Sequence, residues 1–339
     1  MRNAGGGTRY SFIDILKGIG IILMVLGHMH YRKIIEKFIY GFHMPLFFLV
    51  SGYLYKQPQN LFGYVKRKTY ALIVPYFIVG LLYCILDGIL TGNSAVLLGL
   101  KGVFVTTTYN QPIESSLWFL PALFWINLIY AWIDKAIVHL KWKMALVTGV
   151  TIIGCEWTVF FHYLPWAMNS ALSALGFFAI GHWFRVCGEV KLYHIMERTK
   201  FETFRLICVG LAFGSGALIL LNENLNIRTG TFGILPIAYF CACVYTGILF
   251  ILVRKLDRYK SGIRGVIVNE LANIGKSSII FLCTNHMMLR VSKKVLAIVG
   301  FKPGTCMGII VEFWMAMFLM VVITRGIKGT PIRKVFGLE

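Results

Sequence analysis

Three ionisable residues, Asp14, Lys17 and His28, lie in the first apolar stretch of the chain. A charge inside a bilayer is costly, so such residues are candidate functional residues by default. Lys17 and His28 are eleven positions apart, which on an α-helix places them on one face with about 16 Å between them along the axis. A lysine can hold an anion, and a neutral imidazole can act as a general base. We interpret this face as the centre of a functional site.

A second histidine, His43, begins the next apolar segment. Because a short loop returns the chain after His28, His43 is expected at a similar depth near the same membrane face. The alternative for either histidine is a structural one, in which a carbonyl or hydroxyl group satisfies the imidazole. Asp14 lies one turn before Lys17 and can pair with it, but it is about 21 Å along the axis from His28. Asp14 therefore cannot orient His28.

A carboxylate from another segment is expected to orient the imidazole of His28. Glu156 and Glu312 lie in the outer halves of their predicted spans, and the sequence leaves the choice between them open. The other ionisable residues in apolar runs are Asp87, His162, His182 and His286. For Asp87, His162 and His182, a helix-end or structural role is expected at least as much as a functional one. His30 points away from His28, so we predict no metal site.

The composition indicates that lipid is the main solvent of this protein. Of the 339 residues, 58% are hydrophobic and only 14% are charged, which is far more apolar than an ordinary soluble domain. The net charge of +20 comes from Lys and Arg residues clustered between apolar runs. Such clusters set the orientation of a protein in the membrane, so the charge does not indicate nucleic-acid binding. The eight cysteines lie in or beside apolar runs and are interpreted as core residues. We expect no cleaved signal peptide, because the first run carries charges.

The apolar runs predict an all-α bundle of about ten transmembrane helices. Residues 1–10 are predicted to be a cytoplasmic Gly-rich tail, 11–326 the transmembrane domain and 327–339 a second cytoplasmic tail. The predicted spans are 11–30, 38–55, 69–90, 115–133, 144–162, 166–186, 204–221, 232–253, 276–298 and 307–324. Alternate loops then hold 24 Lys and Arg residues on one side and 8 on the other. The richer side is cytoplasmic, so both ends are predicted to be inside.

Several short motifs occur along the chain. In the first two spans, Phe-Ile-Asp-Ile-Leu-Lys-Gly leads to Gly-His, and Phe-His-Met-Pro-Leu-Phe-Phe-Leu-Val-Ser-Gly-Tyr follows. A basic triplet with Pro-Tyr, a Leu-Trp-Phe-Leu motif and a late Phe-Leu-Cys-Thr-Asn-His segment come after them. These motifs occupy residues 12–28, 42–53, 66–76, 117–120 and 281–286. Together they closely resemble the membrane-bound acyltransferase-3 family, most strongly in the first two spans.

This resemblance implies an enzyme of the inner cell membrane. It would move an acyl group, usually acetyl, from cytoplasmic acyl-CoA to a hydroxyl of a surface glycan, lipid-linked sugar or cell-wall polymer. Acyl-CoA is a substrate, and no bound cofactor is expected; membrane lipid is a partner, and the oligomeric state stays open. We predict His28 and His43 as catalytic. The predicted donor-binding residues are Lys17, Lys66, Arg67 and Lys68, and the predicted supporting residues are Asp14, Ser51, Trp118, Glu156 and His286.

Two other functions fit parts of the pattern. A polar face through the membrane is also typical of a transporter or flippase, although no persuasive internal repeat is present. A non-catalytic sensor is the second alternative. Whether the acyl group passes directly to the acceptor or first rests on the protein is left open. Ser51 is a conceivable nucleophile, but Ser-Gly after Pro45 is more typical of packing and a helix kink.

Overall fold

In a computed structural model, the described part of the chain is helical. The structure describes residues 10–29, 31–107, 116–160, 164–259, 261–302 and 304–338. Within these ranges, the one β-type pairing is an isolated bridge between Asn226 and Thr231. The predicted all-α fold is confirmed.

Fifteen α-helices follow one another along the described residues, with π-helical turns at 69–73, 102–106 and 184–188. The α-helices are α1 (Ser11–Gly27), α2 (Lys33–Tyr40), α3 (His43–Tyr53), α4 (Leu61–Lys68), α5 (Val74–Thr91), α6 (Asn93–Lys101), α7 (Phe119–Ala136), α8 (Leu140–Phe160), α9 (Met168–Trp183), α10 (Glu189–Arg198), α11 (Phe201–Leu221), α12 (Leu235–Leu256), α13 (Gly262–Lys276), α14 (Ser278–Ile298) and α15 (Cys306–Lys328).

Seven continuous helical segments among the described residues are long and apolar enough to cross a bilayer. An eighth crossing is formed if α13 and α14, which meet at an angle of 86°, act as one bent span. The chain is therefore a multi-pass membrane protein, but the predicted count of about ten is not confirmed. Of the ten predicted spans, 11–30 forms the shorter 17-residue α1, and 144–162 runs past α8 into residues outside the described ranges.

The most extensive helix–helix packing is between α1 and α13, and two glycines allow it. A Cβ at Gly275 would overlap the carbonyl oxygen of Asp14 and stand 2.7 Å from its carbonyl carbon. A Cβ at Gly18 would overlap the carbonyl oxygen of Leu271 in the same way. The two backbones therefore touch directly, which small residues make possible in membrane helices. This contact fixes α13 against the helix that ends at His28.

A second close crossing fixes α3 against α9. A Cβ at Gly52 would stand 2.7 Å from the carbonyl carbon of Phe178, and one at Gly181 would stand 2.8 Å from that of Leu49. Since α9 also packs on α7 and α8, it connects α3 to the rest of the bundle. These contacts hold α3, and with it His43, at a set position beside α1.

The C-terminal segment is folded back on the bundle. After α15, residues Pro331–Phe336 form a 3-10 helix that packs against the start of α5, and Phe336 is buried. Over its described part, the predicted cytoplasmic tail 327–339 thus packs on the bundle, and its placement on the cytoplasmic side stays a prediction. The N-terminal tail prediction, 1–10, falls almost entirely outside the described residues.

Candidate active site

His28 caps the C-terminal end of α1 and is half-buried there. Its backbone N–H donates to the carbonyl of Met24 at 3.0 Å, which completes the last turn of the helix. In its side chain, Nδ1 lies 2.9 Å from Oδ1 of Asn285 on α14. The imidazole is thus held by a residue far away in the sequence.

A cavity of about 320 Å³ opens beside this imidazole. Three aromatic rings surround that of His28: the ring centroid of His286 lies 4.3 Å away, and those of Tyr40 and His43 each lie 6.2 Å away. Trp118, predicted as a supporting residue, lines the same cavity. The remaining wall consists of Met44, Ser116, Leu225, Asn226, Ile227 and Arg228. The structure therefore brings together four predicted site residues, His28, His43, Trp118 and His286.

His43 is almost completely buried, with 1% of its surface exposed. Its Nδ1 lies 3.0 Å from the carbonyl oxygen of Ile39, and because a carbonyl only accepts, Nδ1 carries the proton. Nε2 then holds a lone pair, and within the described part of the chain it has no hydrogen-bond partner. In its neutral form, His43 therefore presents the Nε2 lone pair beside the cavity, with its donor already engaged.

The predicted donor-binding cations lie in the first half of α1 and in the last turn of α4. Lys68, which ends α4, is partly buried with its Nζ 5.3 Å from the ring of Tyr64, and the charges of Arg67 and Lys17 act on it. Lys66 is exposed on the same turn. Positive charges so close to one another repel, and an anion bound among them would relieve that repulsion. The arrangement is suited to phosphate groups.

The carboxylates do not occupy the position that the sequence predicted. Glu312 is buried, but Tyr31 donates to its Oε2, and Lys293 lies 3.9 Å from its Oε1. Burial, followed by the hydrogen bond and the charge of Glu312, raises the pKa of Tyr31 above its ordinary value, so Tyr31 remains a donor. Glu156 is exposed and lines a different cavity, of about 550 Å³. The partner of His28 Nδ1 is the amide of Asn285, which the sequence did not single out.

Other predicted residues have contacts of a structural kind. Ser51 donates to the carbonyl of Phe47 at 2.7 Å, one turn earlier in α3. Asp14 is buried where α1 meets α13. His182 lies 2.7 Å from the hydroxyl of Tyr130, and Asp87 lies 3.9 Å from Arg290. The remaining candidate, His162, falls outside the described residues.

Three imidazoles near one cavity raise the question of a metal site. In the described ranges, no group of three or more His, Cys, Asp or Glu side chains has an arrangement that could hold a metal ion. The His28 and His286 rings instead lie against each other with an interplanar angle of 33°.

The fold and the site define a multi-pass membrane protein with a histidine-lined cavity at the C-terminal end of α1 and cationic residues in the first half of α1 and the last turn of α4. The profile of the acyltransferase-3 family, described as an acyltransferase domain, matches residues 10–325. The chain belongs to this family and is an acyltransferase.

One named relative is similar over a short segment. The nodulation protein NolL of Sinorhizobium fredii is 44% identical over a 63-residue alignment that covers 15% of this chain and 17% of that protein. The alignment thus spans less than a fifth of the relative's length. No solved structure matches this chain.

Proposed function

We propose that this protein is an integral membrane O-acetyltransferase of the inner cell membrane. It transfers the acetyl group of cytoplasmic acetyl-CoA to a hydroxyl of a surface glycan, a lipid-linked sugar or a cell-wall polymer. The observation that carries the proposal is the placement of His28, which lines a cavity at one end of α1 while Lys17 joins Arg67 and Lys68 toward the other. Membership of the family supports the class of reaction.

The cationic cluster holds the phosphates of the donor at the predicted cytoplasmic face. Lys17 lies eleven residues before His28, a distance of about 16 Å along a helix. The pantetheine arm of CoA is long enough to cover this distance, so the thioester reaches the imidazole while the nucleotide stays at the inner face. The donor does not have to cross the membrane.

His28 acts as the general base. Nε2 takes the proton of the acceptor hydroxyl as the oxygen attacks the thioester carbonyl. The carbon–sulfur bond then breaks, and the departing thiolate takes the same proton back from the imidazolium. The products are the acetyl ester and CoA with a free thiol, and no net proton is gained or lost. His43, whose Nε2 carries a lone pair next to the cavity, assists by accepting a hydrogen bond from the acceptor.

Thiol release from acetyl-CoA tests the proposal. The purified protein in nanodiscs is assayed with and without a glycolipid extract as acceptor, alongside His28→Ala and the matched control His194→Ala, whose side chain is 64% exposed on α10. We expect acceptor-dependent release from the wild type and the control. We expect none from His28→Ala, which should still bind acetyl-CoA.

Two outcomes would contradict the proposal. Undiminished turnover in His28→Ala would remove His28 from the mechanism. Movement of the glycolipid between leaflets without thiol release would indicate a flippase in place of an enzyme.

A further inference from the structure

We infer that Asn285 is the positioning residue of the site: its amide oxygen accepts the Nδ1 proton of His28 and so directs Nε2, unprotonated, toward the reaction. This inference rests on the proposed function, in which His28 is the base. It replaces the carboxylate expected from the sequence with an uncharged partner. The inference follows from three features of the structure, which concern the amide, the helix that carries it and the groups around the imidazole.

The orientation of the Asn285 amide is set by its own second hydrogen bond. Its Nδ2 donates to the carbonyl oxygen of Leu282 at 2.6 Å, and a carbonyl oxygen accepts only. The amide oxygen therefore faces His28, at 2.9 Å from Nδ1. Because that oxygen also accepts only, the proton of a neutral His28 must be on Nδ1. The lone pair is then on Nε2.

The position of Asn285 is set by the bent pair α13 and α14. The backbone contact of Gly275 with Asp14 holds α13 against α1, and the chain then turns by 86° into α14. That turn brings Asn285, which is completely buried, to the end of α1. The bent pair thus contacts the N-terminal half of α1 through α13, and His28 at the C-terminal end of α1 through α14.

Among the described residues that line the cavity beside His28, none carries a carboxylate. Tyr40 on α2, His43 on α3 and His286 on α14 face the imidazole, and Arg228 lines the same cavity. An adjacent carboxylate would stabilise the charged imidazolium, whereas an amide orients the ring without adding charge. An amide partner therefore fixes which nitrogen of the imidazole carries the proton without adding a charge.

Three substitutions separate orientation from charge. Asn285→Ala removes the accepting oxygen, and Asn285→Leu removes it while keeping a side chain of similar volume. Asn285→Asp keeps an accepting oxygen but adds a charge. The matched control is Asn273→Ala, at an exposed position of α13.

We expect the Ala and Leu variants to lower kcat by about 10- to 100-fold, with an unchanged KM for acetyl-CoA. In Asn285→Asp, we expect the acidic limb of the pH–rate profile to move to higher pH by about one unit or more, because the carboxylate favours the imidazolium. A purely structural role would lower the amount of folded protein and leave the pH profile unchanged. Wild-type kcat in Asn285→Ala and Asn285→Leu, or an unmoved profile in Asn285→Asp, would overturn the inference.

A second readout does not depend on activity. In protein labelled with ¹⁵N-histidine, with His28→Ala used to assign the signal, His28 should show a protonated Nδ1 and an unprotonated Nε2 near neutral pH. Asn285→Ala should mix the two tautomers. The opposite tautomer in the wild type, or the same spectrum in both proteins, refutes the positioning role even if acyl transfer is confirmed. If acyl transfer is absent but the tautomer is as expected, the proposed function alone has failed.

Discussion

The packing of α1 on α13 predicts that adding one methyl group at Gly275 disturbs the contact that Asn285, in the first half of α14, makes with His28. A Cβ there would overlap the Asp14 carbonyl oxygen and stand 2.7 Å from its carbon and 2.9 Å from the Gly18 amide nitrogen. Ordinary contacts between such atoms are about 3.5 Å or longer. All of the clashing atoms are backbone atoms, so no side chain can rotate away. The helices must separate by about 1 Å.

Two effects of Gly275→Ala on stability have opposite signs. Alanine in place of glycine favours a helix by about 1 kcal/mol, whereas overpacking costs about 1–3 kcal/mol. At Gly210 in α11, where a Cβ would meet nothing within 4 Å, only the first effect operates. Gly210→Ala should therefore unfold at the same or a higher temperature than the wild type. Gly275→Ala should unfold at a lower temperature.

The same displacement lowers the rate. The bond between Asn285 and His28 is 2.9 Å long, and a shift of about 1 Å in α13 and α14 breaks it or misdirects the imidazole. Errors of this size at a reacting group cost on the order of 100-fold. We expect kcat for acetyl transfer to fall by about 10- to 100-fold in Gly275→Ala. Thermal unfolding in detergent and thiol release at saturating acetyl-CoA measure the two effects. Equal behaviour of the two alanine variants would refute the reasoning.

Two further predictions concern the ends of α1. Lys68→Ala should raise the KM for acetyl-CoA several-fold with little change in kcat, because a phosphate contact acts equally in the ground and transition states. The control variant Lys141→Ala, at an exposed position, should change neither KM nor kcat. A fall in kcat alone would contradict this assignment. Tyr31→Phe should lower the free energy of unfolding by about 1–3 kcal/mol, because buried Glu312 loses a hydrogen-bond donor. The control variant Tyr70→Phe, at an exposed position, should leave it unchanged. Denaturant titration measures the difference, and equal stability of the two variants would be inconsistent with the hydrogen bond between Tyr31 and Glu312.

The parts of the site that follow local spacing could be predicted from the sequence. Lys17 and His28 share a helix, so a period of 3.6 residues suffices to place them on one face. A short connection suffices to bring His43 close to His28. Trp118 and His286 were indicated by resemblance of short motifs. In each case the information lies within a few tens of residues or in a familiar pattern.

The orienting group could not be predicted in this way. Asn285 is separated from His28 by 257 residues, and an uncharged amide in an apolar run gives no electrostatic signal. The expectation of a carboxylate came from the general behaviour of histidine bases, and Glu312 was a reasonable candidate until its contact with Tyr31 was known. Only the tertiary structure identifies which polar group reaches the imidazole.

The same limit applies to α13. Arg264, Glu270 and Lys276 interrupt the sequence of α13, so no long apolar run predicts it, and the predicted span 276–298 corresponds essentially to α14 alone. The charged side chains of Arg264 and Glu270 are exposed, while Gly275 on the same helix is buried against α1. Close backbone packing depends on small residues at a few positions, and hydropathy averages do not register them.

The distance along the chain between His28 and Asn285 has a consequence for biogenesis. Synthesis proceeds from the N-terminus, so α1 enters the membrane long before α14 exists. During that interval the growing chain already contains His28 and the lysines proposed to bind the donor but lacks Asn285. Under the proposed function, an unfinished chain is therefore expected to transfer acyl groups slowly, and the full rate is reached only after α14 packs on the end of α1.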